Sequence, residues 1–305
     1  MKSKSILKII YSTFIKIILS PNFFFCKKIY SKTDYLDFKN KGFFLLKADF
    51  VNNFYKNFKN EISSINIDKL IDSNLKNFLN NSEEINSGDK SKLYSFSINN
   101  YFRPEFINET NTFLKNEIIF KEISSRLGFG LSLTDFQILL NHHNPNTEEE
   151  GPKLWHRDDD SIAGQLKLFF ILNNLDEKSD GFFYFIPRNI IKNYNKLDYS
   201  PARKNNNRWN KFRNTDEEIK IIIDLDNEKI IYGKQNSELL IIDTNDCYHK
   251  GGFIKSKTSY RIMIQAIYSP TFNVSLLNDL YKKSFLYNKT FHILRFMKNQ
   301  LRTVI

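Results

Sequence analysis

The stretch ELLIIDTNDCYHKGGFIKSKTSYRIMIQAIY, residues 238–268, decides how this chain is read. It opens on a short apolar run at 238–242, passes through the turn-rich DTNDCYHKGG, and returns to an apolar run at 260–268. Short apolar runs bounded by Asn, Asp and Gly mark buried strands joined by turns. Toward the N-terminus the same texture recurs in FFYFI (182–186), LKLFFIL (166–172) and FQILL (136–140), and IKIII (219–223) is read the same way. Short strands without intervening helical patterns predict an antiparallel sandwich or jelly roll.

Upstream the texture changes. Residues 34–127 are polar, and the spacing of Ile67, Leu70, Ile71, Leu75 and Phe78 is helical. The class predicted is mainly β with flanking helices, an α+β domain. Its parts are a basic segment at 1–33, a helical part at 34–127, a β core at 128–275 and a basic C-terminal helix at 276–305. At the ends, Lys8, Ser12 and Lys16 recur opposite Leu7, Ile10 and Phe14, and Arg295, Lys298 and Arg302 lie opposite Phe291, Leu294 and Met297.

The charge sits at those ends. Residues 1–33 hold seven lysines and residues 280–305 hold six Lys or Arg, neither with an acid, against a net charge of +11 for the whole chain. The body between them is therefore slightly acidic, and no nucleic-acid groove is indicated there, since phosphate binding needs a clustered positive field. The basic ends have two readings. Either they touch an anionic membrane surface reversibly, or they pack on the core and keep the protein soluble. Cys26 and Cys247 stand far apart, which excludes a thiolate zinc site, an iron–sulfur cluster or a disulfide scaffold. The expected place is the cytoplasm, peripheral to a membrane in the first reading. No apolar run is long enough to span a bilayer.

The chemistry-bearing residues lie in the β region. His156 and Asp158 form a His-x-Asp step in LWHRDDDS, and in an extended segment both side chains point to one face. His249 follows the strand ELLII. Two imidazoles and one carboxylate on one side of an ion leave other positions open, as in non-haem Fe(II) oxygenases; structural zinc favours a closed tetrahedral site. Arg261 lies in the next strand and can hold a carboxylate through two parallel hydrogen bonds; Ser259, two residues earlier, can add another. Lys167 and Lys255 are the other cations able to serve. Taken singly, each residue has a plainer reading: a core histidine, a loop cap, a surface ion pair. Trp155 is expected beside the site with a partner for its indole, His142 and His143 in a loop, and Cys247 is a weak further ligand candidate. Asp159 and Asp160 are read as solvated or backbone-bonded, and His292 as structural or exposed.

WHRDDD, LKLFFILNNLDEKSDGFFYFIP, ELLIIDTNDCYHKGG and YRIMIQAIY together resemble the phytanoyl-CoA dioxygenase-like family of Fe(II)/2-oxoglutarate-dependent oxygenases, over roughly residues 130–270. The resemblance implies a double-stranded β-helix (cupin-type jelly roll), with His156, Asp158 and His249 as iron ligands and Arg261 clamping the far carboxylate of 2-oxoglutarate. Gln137 matches a strand position that often faces the cosubstrate. The implied activity is hydroxylation of a small-molecule or lipid-like substrate with O2, releasing succinate and CO2. A carboxylate at 158 argues against halogenation, which needs a small residue there. The chain departs from the family in reading IPRNI where a Pro-Gly-Ser-His turn is common, which touches substrate contacts more than iron. The competing readings are a metal-binding jelly-roll hydrolase or isomerase, and a non-catalytic binding module.

Overall fold

The computed structural model describes residues 32–80, 94–127, 131–143, 151–158, 166–175, 181–192, 213–233 and 238–270. The two basic ends lie outside the described residues, except for 32 and 33, as do Asp159, Asp160 and His292. No helix among the described residues is long and apolar enough to cross a membrane.

The helical part begins with α1 (Lys32–Lys41), α2 (Asp49–Ser63) and α3 (Ile67–Asn80), and continues with α4 (Pro104–Leu114) and α5 (Glu117–Leu127). In α2, Val51, Phe54 and Phe58 recur at helical spacing and are buried, while Asp49 complements the positive end of the helix dipole. Pro104 opens α4, where a missing N–H costs nothing, and Phe106, Thr110 and Phe113 form its buried stripe.

Six strands make the larger sheet, in the order β1-β7-β4-β9-β3-β2. They are β1 (Phe43–Leu46), β2 (Ser95–Ser97), β3 (Leu131–His142), β4 (Leu166–Ile171), β7 (Leu239–Ile242) and β9 (Tyr260–Pro270). A smaller sheet, β6-β5-β8, joins β5 (Phe183–Ile186), β6 (Ile230–Tyr232) and β8 (Tyr248–Gly251). All the pairings are antiparallel. Alternation along β4 explains the layers. Leu168 and Phe170 point to the helices, while Phe169 and Ile171 point to the small sheet. A strand covered on both faces reads as a continuous apolar run, which LKLFFIL is apart from Lys167. On the helical side Phe54 and Phe113 stack with ring centroids 4.0 Å apart, and both meet Phe170. On the inner side Phe169 packs on Phe183, with centroids 4.4 Å apart.

The structure corrects the sequence reading of the elements at two places here and, at His142, a third below. The run IKIII is not a strand. Residues Asp216–Lys220 form a short helix, α7, which follows α6 (Arg188–Lys192) and precedes α8 (Leu225–Glu228). Thr215 and Glu218 cap α7 reciprocally, and Asp216 and Glu217 add acid to its first turn. Ile219 and Ile223 are buried one helical turn apart while Ile221 is 85% exposed. In a strand all three would share a face. The second correction is that the helical part also supplies β1 and β2, whose four and three residues are too short to show a period.

The two isoleucines give a direct test of that local fold. Ile219→Ala should cost about 2–4 kcal/mol and Ile221→Ala less than about 0.5 kcal/mol, read as shifts in urea midpoint at unchanged slope. Equal costs would restore the strand.

Candidate metal centre

Three segments meet at the inner face. After β7, Cys247 and Asp246 donate backbone N–H to Asp243 O, and Arg188 pairs with the carboxylates of Asp243 and Asp246. That turn delivers the chain into β8. His156 and His249 then exchange both backbone bonds, N to O at 3.0 and 2.9 Å. A pair facing each other this way puts both side chains on one side. The rings stand 4.3 Å apart, centroid to centroid. Asp158 N donates to Thr244 O at 2.8 Å, so the His-x-Asp segment is also tied to the turn before β8. Trp155 faces the other way, fully buried, and its indole N–H donates to Asp216, to which Lys250 also donates at 2.7 Å.

Each imidazole is oriented from behind. Nδ1 of His156 lies 2.8 Å from Leu154 O, and Nδ1 of His249 lies 3.2 Å from Cys247 O. A carbonyl oxygen only accepts, so Nδ1 carries the proton and Nε2 turns a lone pair inward. His156 Nε2 is 3.7 Å from Asp158 Oδ1, and His249 Nε2 is 3.6 Å from Asp158 Oδ2. Those distances are too long for hydrogen bonds. The ligand atoms of His156, Asp158 and His249 all lie within 4.8 Å of one another, so the three could hold one metal ion. All are at least nine-tenths buried or nearly so, with side-chain exposures of 8, 11 and 5%.

Burial dominates the electrostatics of both imidazoles. It pushes His156 well below the ordinary histidine range, with His249 and Arg213 adding to the effect, and it pushes His249 down as well. Burial acts against the charge of Asp158 too, but His249, Lys167 and His156 outweigh it and hold the carboxyl below its ordinary value. Burial thus favours neutral imidazoles, and with both rings neutral, Lys167 is the cation left beside the Asp158 carboxylate. Neutral imidazole and ionised carboxylate are the forms in which these side chains ligate metals.

Arg261, 3% exposed, is on the same face of β9 as Met263 and reaches across to the small sheet. Its guanidinium donates to Gly181 O, Phe182 O and Asn141 Oδ1. A Cβ on Gly251 would stand 3.2 Å from its Nη2. Since Gly251 and His249 share a face of β8, the guanidinium lies on the imidazole's side, about one two-residue step along the strand. Gln137, opposite Gln265, is exposed. Ser259 sits in the turn before β9 and lines a separate cavity of about 360 Å³ with Tyr55 and Lys59. Cys247 is buried against Lys41 O and beneath Gly42, and burial raises its thiol; it does not belong to the ligand group. His142 is not in a loop but ends β3, buried edge-on to Phe96.

Two cations escaped the sequence reading as parts of the centre. Lys167 donates to Asp158 Oδ2 at 2.7 Å. Its signal was visible, a lysine inside an otherwise apolar, doubly covered strand. Arg213 had no such signal. It precedes Asn214, whose bridge to Trp155 places residue 213 opposite His156.

No protein-family model and no curated protein matches the sequence. Solved structures do resemble it in outline. One is HygX from Streptomyces hygroscopicus with nickel, 2-oxoglutarate and hygromycin B bound, at 10% identity over 79% of this chain and 88% of that one, with a TM-score of 0.42. Another is SnoN, a non-heme alpha ketoglutarate dependent epimerase from nogalamycin biosynthesis, at 11% identity over 81% and 86%, TM-score 0.42. A third is EctD from S. alaskensis in its apoform, at 12% identity over 79% and 77%, TM-score 0.42.

The lowered imidazoles set a pH window. With folded values below the ordinary 6.5, the unfolded chain binds protons first, so the metal-free protein should lose stability as pH falls below 6.5. Above that value both rings are already neutral, and Co(II) affinity should stay flat up to about pH 8. A Co(II) absorbance titration across the series checks the second statement, and thermal unfolding of the metal-free protein checks the first.

Proposed function

We propose that this chain is an Fe(II)- and 2-oxoglutarate-dependent oxygenase of the phytanoyl-CoA dioxygenase-like kind, hydroxylating a small-molecule or lipid-like substrate. The two sheets then correspond to a double-stranded β-helix. One observation carries the reading: His156 and His249 turn their Nε2 atoms, and Asp158 its carboxylate, toward one point between the sheets. A set of two imidazoles and one carboxylate, with no thiolate among the ligands, suits iron with open positions better than structural zinc.

In this reading His156, Asp158 and His249 hold the ion. Iron with 2-oxoglutarate and O2 supplies an oxidant for an unactivated C–H bond, with succinate and CO2 released. The rest falls to the chain's own residues. Arg261 binds the far carboxylate of the cosubstrate from the same face as His249, and its bonds to Gly181 O and Phe182 O fix the guanidinium for that task. Gln137 offers a polar contact on the same sheet, whereas Ser259, expected beside Arg261, lines the separate cavity with Tyr55 and Lys59 and has no part in this binding. Phe183 lies flat against His249 at 5.7 Å, and with Phe169 and Phe185 it walls the ligands off from water.

Anaerobic titration with Fe(II) and 2-oxoglutarate, followed by admission of O2, tests the proposal through succinate release. His156→Ala and His249→Ala should each lower iron-dependent turnover at least about 100-fold, because two ligands hold the ion poorly. Arg261→Lys should retain iron and weaken 2-oxoglutarate by about 10- to 100-fold. Oxygen uptake indifferent to 2-oxoglutarate, or full turnover in both histidine variants, would refute the assignment.

A further inference from the structure

Lys167 occupies an unusual place. It lies in the middle of β4, paired with Ile242 of β7 on one side and Ile267 of β9 on the other. Its side chain leaves the large sheet on the inner face, the face of Phe169 and Ile171, and is only 9% exposed. A lysine there is costly unless its charge is answered. The answer is Asp158 Oδ2, 2.7 Å from Nζ, at a length expected for a charge-assisted bond.

The partner is not an ordinary acid. Asp158 is the carboxylate of the candidate metal centre; its Oδ1 lies 3.7 Å from His156 Nε2, and Oδ2, the oxygen Lys167 engages, lies 3.6 Å from His249 Nε2. An ammonium has three protons and no lone pair, so it cannot ligate a metal while charged. It closes Oδ2 to a second cation instead. We infer that Lys167 is a positioning residue of the metal centre: its ammonium engages Oδ2 and commits Asp158 to ligating through Oδ1 alone. His156 and His249 belong to segments paired on the small-sheet side, so Lys167 is also the tie by which the large sheet fixes the third ligand. The inference rests on the metal reading above and adds to it the means by which coordination positions are kept open.

The sign of the effect separates positioning from simple charge. A nearby cation repels a divalent ion, so if Lys167 acted only through its charge, removing it would tighten metal binding. If it positions Asp158, removing it lets the carboxylate swing or chelate through both oxygens, which weakens binding or changes the coordination number.

The experiment is a Co(II) titration of the full chain without 2-oxoglutarate, followed in the visible d–d bands. The wild-type protein should bind one Co(II) per chain, and His156→Ala should not; failure of that arm refutes the metal reading itself. With that arm intact, Lys167→Met should bind Co(II) about 10- to 100-fold more weakly and with altered band intensity. Lys167→Arg, which keeps a cationic donor, should recover most of both. Should Lys167→Met fail to fold, Lys167→Gln, shorter and uncharged, carries the same expectation. Affinity that is unchanged or tighter, with the wild-type spectrum retained, overturns the positioning role.

Discussion

Two backbone hydrogen bonds between His156 and His249 hold the centre together. They join residues 93 positions apart in sequence, and they do so without a regular strand on one side, as an isolated bridge. Everything at the site follows from that pairing. It sets both rings on one face, it places Leu154 O and Cys247 O behind them as acceptors, and it brings Asp158 within reach of Thr244 O. The alternate residues, Trp155 and Lys250, go outward to Asp216 and tie the same bridge to α7. Inner and outer side chains thus brace one short ribbon from both sides.

The large sheet contributes differently. Its helical face is apolar and ordinary in its packing, and its inner face is apolar in the middle and polar where function is inferred. Gln137, Asn141, Arg261 and Lys167 all lie on the inner side of β3, β9 and β4. Two of these, Arg261 and Lys167, are cations, and both reach across the gap, one to Gly181 and Phe182, the other to Asp158. Polar bridges between sheets fix their spacing more sharply than apolar contact does, because each bond has a length and a direction.

Much of this was legible beforehand. The strands of the core announced themselves because burial on both faces leaves little room for polar residues, as in LKLFFIL and ELLII. The meeting of His156, Asp158 and His249 was legible because histidines are few, five in the chain, and these two stand in order beside the apolar runs. What failed failed for physical reasons. IKIII is apolar enough for a strand, but Thr215 and Glu218 start a helix just before it, and a cap decides between periods that five residues cannot distinguish. β1 and β2 are strands by virtue of the neighbours they pair with, not of their own pattern. Lys167 was read as a spare cation because a sequence does not say which acid a lysine meets across a fold.

The pairing of β1 with β7 has a kinetic consequence. Phe43 lies against Ile242, so an early strand covers the edge of one that leaves the ribosome 199 residues later. Until then the early helices have only part of their apolar partners, and β7 meets a sheet whose central strand, β9, has still to be made. Pairings so distant in sequence close slowly, because the entropy of a long loop is lost before any contact rewards it. The sheet therefore cannot be completed progressively during synthesis. It closes only when β9 joins it, and Arg261, which β9 carries, reaches Gly181 and Phe182 only then.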